Sequence, residues 1–234
     1  MNAMTMTSPE TSTAASDETV QAGELLQAEP ASRESGEPST AAGRTRAVQP
    51  VLEKLFELYP HLFGENFLPL KLGIFQDLLA AHPEHFQRES LKAALGFHTR
   101  STRYLQCVAA GNKRHDLQGN PGDGVAPEHV YLTLLELFRR RQARAREDLR
   151  PKFRAQLMAA FEASGLTRQD YQARVQTNDA AATELLEEAF AEREQKVAKR
   201  EALRRTFESS GKTPDEFADM YGIDKRELVA AIGT

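Results

Sequence analysis

From Val51 onward, apolar residues recur at helical spacing. Val51, Leu52, Leu55, Phe56, Leu58 and Tyr59 share one side of a helix and Pro60 ends the run, which predicts a first helix at about Pro50–Tyr59. Leu72–Ala81 (LGIFQDLLAA) predicts a second, stopped by Pro83. Glu89–Phe97 predicts a third, with Leu91, Ala94 and Leu95 inward. Thr99 and Ser101 are good capping residues and would open a fourth helix at about Arg100–Val108, with free amides just after His98. The segment Gly111–Val125 (GNKRHDLQGNPGDGV) is rich in Gly, Asn and Asp and predicts tight turns and a short hairpin. Pro127 suits a helix start and leads into Glu128–Ala145, which carries Val130, Leu132, Leu134, Leu135, Leu137 and Phe138.

Farther along, FEASGLT (Phe161–Thr167) is echoed by FESSGKT (Phe207–Thr213), 46 residues later. Asp170 and Tyr171 then align with Glu216 and Phe217, so each copy predicts helix, Gly-containing turn, helix. Two copies are too few for a stacked array, and a pair of small helical hairpins is expected. The fold class is therefore mainly α: a compact helical domain with a small β-hairpin over residues 47–146, then a helical C-terminal extension over 147–234. Met1–Arg46 is built largely from Ala, Ser, Thr, Glu, Gly and Pro without an aromatic residue and cannot bury enough apolar surface to offset the entropy of ordering. It is expected to be a disordered acidic tail.

Charge sharpens this division. Met1–Arg46 holds seven acids and three bases, Ala47–Arg140 ten of each, and Arg141–Thr234 seventeen of each, so the net charge of -4 belongs to the tail. A single cysteine, Cys107, excludes an internal disulfide and any multi-cysteine zinc site; beside Val108 it reads as a small core residue. No run approaches the roughly 18 apolar residues that span a bilayer, and the start lacks a basic and apolar leader, so a cytoplasmic protein without a membrane role is expected. The His82 and His85 of HPEH are separated by a proline, with no third ligand at a recognisable spacing, so no metal is expected there. Gly119–Gly124 lacks the ending of a P-loop. No nucleophile or carboxylate pair is arranged for catalysis; no enzyme activity, small-molecule substrate or cofactor is expected.

Three segments in order, PLKLGIFQDL (Pro69–Leu78), LKAALGFHTRSTRYL (Leu91–Leu105) and GNKRHDLQGNP (Gly111–Pro121), followed by His129, resemble the signature of the ProQ/FinO family of bacterial RNA chaperones. The resemblance covers about residues 48–140. It implies a helical fold with a small hairpin, and binding to structured small RNAs and mRNA 3' ends, such as terminator-type hairpins with a single-stranded 3' tail. It also implies post-transcriptional regulation by stabilising RNAs and promoting their pairing. Where the family commonly has a tyrosine and a tryptophan, in a motif like YTSSWRYL, this chain has His98 and Thr102.

The expected RNA-binding residues are Lys71, His98, Thr99, Arg100, Ser101, Arg103, Lys113 and Arg114. Their chemistry suits phosphate independently: cations on three segments, Arg able to grip bidentately, and a helix start at Thr99–Thr102 offering amides and hydroxyls to a strand end. Here His98 is expected to stack on a base or donate to phosphate, and Thr102 to thin the packing. The run Arg139–Arg154 carries eight bases against two acids and is read equally as an extended phosphate track or as a solvated helical surface. Thr213–Ile232 resembles a helix-turn-helix, which leaves a rival reading, a DNA-binding regulator. Its second helix has only Lys225 and Arg226 to face DNA, so packing or a protein partner is the preferred use of these C-terminal helices.

Overall fold

The computed structural model describes residues 41–233. The expected tail lies outside the described residues as far as Thr40; its remainder, Ala41–Arg46, is already helical. Helix α1 spans Ala41–Leu58 and runs straight through Pro50, nine residues earlier than the apolar pattern suggests. Proline removes one backbone donor, but its fixed φ is compatible with a helix. The preceding turn is held by Val48, which is buried.

Five helices and a hairpin follow. Pro60–Phe63 forms a single turn (α2), Ile74–Ala81 forms α3, Arg88–Thr99 forms α4 and Thr102–Ala109 forms α5. Strands β1 (Lys113–His115) and β2 (Pro121–Gly124) pair antiparallel, with Lys113 opposite Gly124 and His115 opposite Pro121. Leu70 adds a parallel bridge to β1: the Lys71 amide donates to the His115 carbonyl at 2.8 Å and the His115 amide to Pro69 at 2.7 Å. Helix α6 is Pro127–Gln142. A first core, including Leu55, Leu62, Leu78, Leu91, Tyr104 and Leu117, joins α1 to α5 and the hairpin.

The C-terminal part contains α7 (Arg150–Ser164), α8 (Arg168–Arg174), the 31-residue α9 (Ala180–Ser210), α10 (Pro214–Tyr221) and α11 (Lys225–Ile232). The expected division after Arg146 falls in the connector between α6 and α7, but core packing crosses it. Val130, Tyr131, Leu134 and Leu135 of α6 share a second core with Phe153, Phe161, Tyr171 and Phe190. A third, smaller core of Phe217, Ala218 and Leu228 packs with Leu203 and Phe207 at the far end of α9. Between them residues 194–202 of α9 are exposed on every side, a stretch supported by i,i+4 ion pairs such as Lys196 with Glu192 and Arg205 with Glu201.

The sequence repeat is a repeat of hydrogen bonds. Ser164 and Ser210 each donate to a carbonyl three residues back, at Phe161 and Phe207. Gly165 and Gly211 follow at φ 64° and 63°, the left-handed conformation that ends a helix at little cost in a residue without Cβ. Thr167 and Thr213 then cap α8 and α10 by accepting the amides of Asp170 and Glu216. In each copy the aromatic pairs meet edge to face, Phe161 with Tyr171 at 5.3 Å and Phe207 with Phe217 at 5.4 Å.

Candidate nucleic-acid interface

The second matched segment, Leu91–Leu105, contains the junction between α4 and α5. Thr99 is the last residue of α4, not the first of the next helix, and its hydroxyl donates back to the Leu95 carbonyl at 2.9 Å. The true cap of α5 is Ser101, whose hydroxyl accepts the Tyr104 amide at 3.2 Å. The open amides of this helix start are therefore those of Thr102 and Arg103, a narrower set than the sequence suggests. Thr102 is exposed, so it removes nothing from the core.

His98 is the main correction. Its side chain is buried at 5% exposure, with the Phe67, Phe63 and Tyr104 ring centres at 4.4, 4.8 and 5.3 Å. It cannot stack on a base or donate to a phosphate from there. Burial pushes its pKa down to about 4, and Nε2 has no hydrogen-bond partner. Leu91, Ala94, Leu95 and His98 lie on one face of α4, so the spacing that predicted the inner face already included it.

Above that aromatic layer sit the cations. The Arg103 guanidinium donates to the Glu65 carbonyl at 2.8 Å and lies 5.0 Å over the Phe67 ring. Arg100 is exposed, and its own carbonyl accepts from the Arg140 guanidinium at 2.8 Å, so the beginning of the basic run adjoins the α4–α5 junction. Arg141, Arg144, Arg146 and Lys152 farther along have no carboxylate partner among the described residues, whereas Arg139 pairs with Asp179 and Arg154 with Glu188 and Glu192.

The hairpin forms the second half of the surface. Arg114 is half-buried and donates to the Leu70 carbonyl at 3.0 Å, with a longer 3.5 Å contact to His129 Nδ1. Arginine has no acceptor to offer, so His129 must accept there; burial first, then Arg114, lowers the His129 pKa. Lys113 is exposed on β1, while Lys71 is exposed and paired with Asp77 at 2.9 Å. Tyr104, which was not singled out from the sequence, ties the two halves together. Its ring meets His98 and its hydroxyl accepts the Leu70 amide at 3.1 Å. Burial raises its pKa and also pushes the half-buried Cys107 thiol up to about 11, which fits a packing role for that cysteine.

Comparison with known proteins places relatives on this part of the chain. Residues 45–150 match the model of the ProQ/FINO family. The RNA chaperone ProQ of Shewanella amazonensis is 41% identical over 85 residues, 34% of this chain and 38% of that protein. The RNA chaperone ProQ of Shewanella frigidimarina is 37% identical over 127 residues, 51% of this chain and 62% of that protein. The chain thus spans less than two thirds of the length of these relatives. The crystal structure of a FinO-like RNA chaperone from Neisseria meningitidis aligns at 32% identity over 38% of this chain and 92% of that one, with a TM-score of 0.35. No helix among the described residues is long and apolar enough to cross a membrane. Residues 45–150 of this chain are a domain of the ProQ/FINO family.

Proposed function

We propose that this chain is an RNA chaperone that binds structured RNA, small RNAs and mRNA 3' ends with a single-stranded tail, and stabilises them or promotes their pairing without an enzymatic step. The observation that carries the reading is the way its cations are held. Arg103 and Arg114 are each aimed by a backbone carbonyl, which orients a guanidinium without neutralising it, whereas Arg140 divides its guanidinium between the Arg100 carbonyl and the Glu136 carboxylate. Arg100 and Lys113 stand beside them without an acidic partner among the described residues. Such a surface suits phosphates, and the open Thr102 and Arg103 amides suit a strand end. Thr99 and Ser101 shape the junction, His98 supports it from beneath, and Lys71 lies at the hairpin edge. The C-terminal helices, with Met220, Tyr221 and Val229 exposed, are assigned to a protein partner.

The test is the affinity of the full chain for a hairpin with a single-stranded 3' tail, against a blunt hairpin and a DNA duplex of equal length. The tailed hairpin should bind tightest. Arg103→Ala should weaken it by about tenfold to a hundredfold, as expected for a charge-assisted contact of about 1.5–3 kcal/mol. Equal or tighter binding to the DNA duplex would sink the reading in favour of the rival DNA-binding regulator, acting through the helices of Thr213–Ile232.

A further inference from the structure

The turn between α3 and α4 brings together three ligand atoms that the sequence left apart. The His82 amide closes α3 on the Leu78 carbonyl at 3.0 Å, and the amides of His85 and Phe86 then both donate to the His82 carbonyl, at 3.1 and 3.2 Å. Phe86 is buried and pins the turn. As a result two imidazoles face one carboxylate: His85 Nε2 lies 3.4 Å and His82 Nδ1 3.7 Å from the same Glu84 oxygen. The three candidate ligand atoms all fall within 4.8 Å of one another. Metal bonds of about 2.0–2.1 Å in a tetrahedral site place neighbouring ligand atoms about 3.3 Å apart, so two of the three edges are already close to coordination spacing.

A second observation concerns the other face of His82. Its Nε2 is held by the Tyr59 hydroxyl at 2.8 Å, and its ring is flanked edge-on by Tyr59 at 5.7 Å and Phe86 at 6.0 Å. Metal-bound histidines are usually oriented in this way, with the second nitrogen tied to a neighbouring polar group. We propose that His82, Glu84 and His85 form a binding site for a divalent transition metal, zinc foremost, with Tyr59 as the group that positions His82. Two imidazoles and a carboxylate suit zinc, nickel or copper better than magnesium or calcium, and leave a fourth position for water. Helical spacing concealed the site, because Glu84 becomes the third ligand only in a turn. A bound ion would fasten the end of α3 to the α1–α2 junction, where Tyr59 sits.

The test is calorimetric titration of the full chain with zinc chloride after treatment with a chelator and its removal. The parent should take up one equivalent saturably, and its thermal midpoint should rise with zinc and fall back with added chelator. Glu84 and His85 are exposed, so Glu84→Gln and His85→Ala should keep the parent's circular dichroism while zinc affinity falls at least tenfold. Tyr59→Phe should keep the stoichiometry and weaken binding by about 10–100-fold. Absence of saturable uptake by the parent overturns the proposal. So does parent-like affinity in both Glu84→Gln and His85→Ala, which would put zinc on other histidines or Cys107. Parent-like affinity in Tyr59→Phe overturns the positioning role of Tyr59.

Discussion

Ala47–Arg140 and Arg141–Thr234 are each charge-balanced, ten against ten and seventeen against seventeen, yet they use their cations differently. In the first region Arg103 and Arg114 donate to main-chain carbonyls, Arg140 divides its guanidinium between the Arg100 carbonyl and the Glu136 carboxylate, and Arg100 and Lys113 face no acid among the described residues. From α7 onward most contacts are ion pairs between helices or within one. Arg154 reaches Glu188 and Glu192, Arg168 reaches Glu187 and Glu194, Arg193 reaches Glu162, and Lys225 reaches Asp215. A carbonyl fixes a guanidinium and leaves its charge available, whereas a carboxylate fixes it and removes most of its field. Equal counts of acids and bases therefore describe a surface with cations left unneutralised in one region and a largely self-paired set of helices in the other.

The largest expected effect probes what lies beneath the cationic surface. Burial holds His98 neutral down to about 4, whereas in an unfolded chain it takes up a proton near 6.5. Between those values the unfolded state binds more protons, so this residue's contribution is fully present above about pH 6.5, is lost progressively as pH falls, and levels off below about 4. The full loss is about 3 kcal/mol at 1.36 kcal/mol per pKa unit. In His98→Phe that component should vanish, and stability near neutrality should hold or rise, because a buried nitrogen without a partner is removed. Denaturant midpoints of parent and variant from pH 4 to 8 measure the difference. Parallel pH curves would mean that His98 is exposed to water and that the aromatic layer does not support the surface.

The next effect separates staple from contact. Arg114→Ala removes hydrogen bonds from a half-buried guanidinium and should cost about 1.5–3 kcal/mol of folding stability together with RNA affinity. The sequence alone suggests a binding loss with unchanged thermal stability for both Arg114 and Arg103. That expectation suits Arg103 better, since its guanidinium is exposed. A melting curve for Arg114→Ala that overlays the parent's would break the claim that carbonyl-held cations also organise the first region.

Much of this was legible because it is local. Gly- and Asn-rich chemistry marked the β1–β2 hairpin, and FEASGLT and FESSGKT marked two turns that share serine, glycine and threonine bonds. What escaped was set by tertiary contact. Pro50 looked like a helix start, but buried Val48 carries α1 backward past it. Arg103 meets Glu65 across 38 residues and Arg140 meets Arg100 across 40, and no spacing rule connects such pairs. His98 is a different kind of miss: its place on the inner face of α4 was readable, and its polarity hid it. Thr99 was misread because a threonine near a helix boundary serves either end, and here its hydroxyl returns to α4.

The smallest expected effect tests the other half of the comparison. Arg154 is the most enclosed cation of the C-terminal ion pairs, with a side chain 22% exposed and two carboxylates at 3.0 Å, Glu188 and Glu192. Exposed pairs contribute about 0.2–1 kcal/mol, and this double contact, partly shielded from solvent, should lie at the upper end, about 1 kcal/mol. Arg154→Ala should therefore lower the thermal midpoint by a few degrees, and more at low salt than at high, because screening already weakens the pair in the parent. Its charge is consumed within the helix pair, so affinity for a tailed hairpin should stay within about twofold of the parent. The neighbouring Lys152, which has no carboxylate partner among the described residues, supplies the contrast: Lys152→Ala should leave stability unchanged, and should reduce RNA affinity and its salt dependence only if the basic run extends the phosphate track. If Arg154→Ala weakens RNA binding as much as Arg103→Ala does, ion pairing does not hide a cation from RNA, and the distinction between the two regions fails.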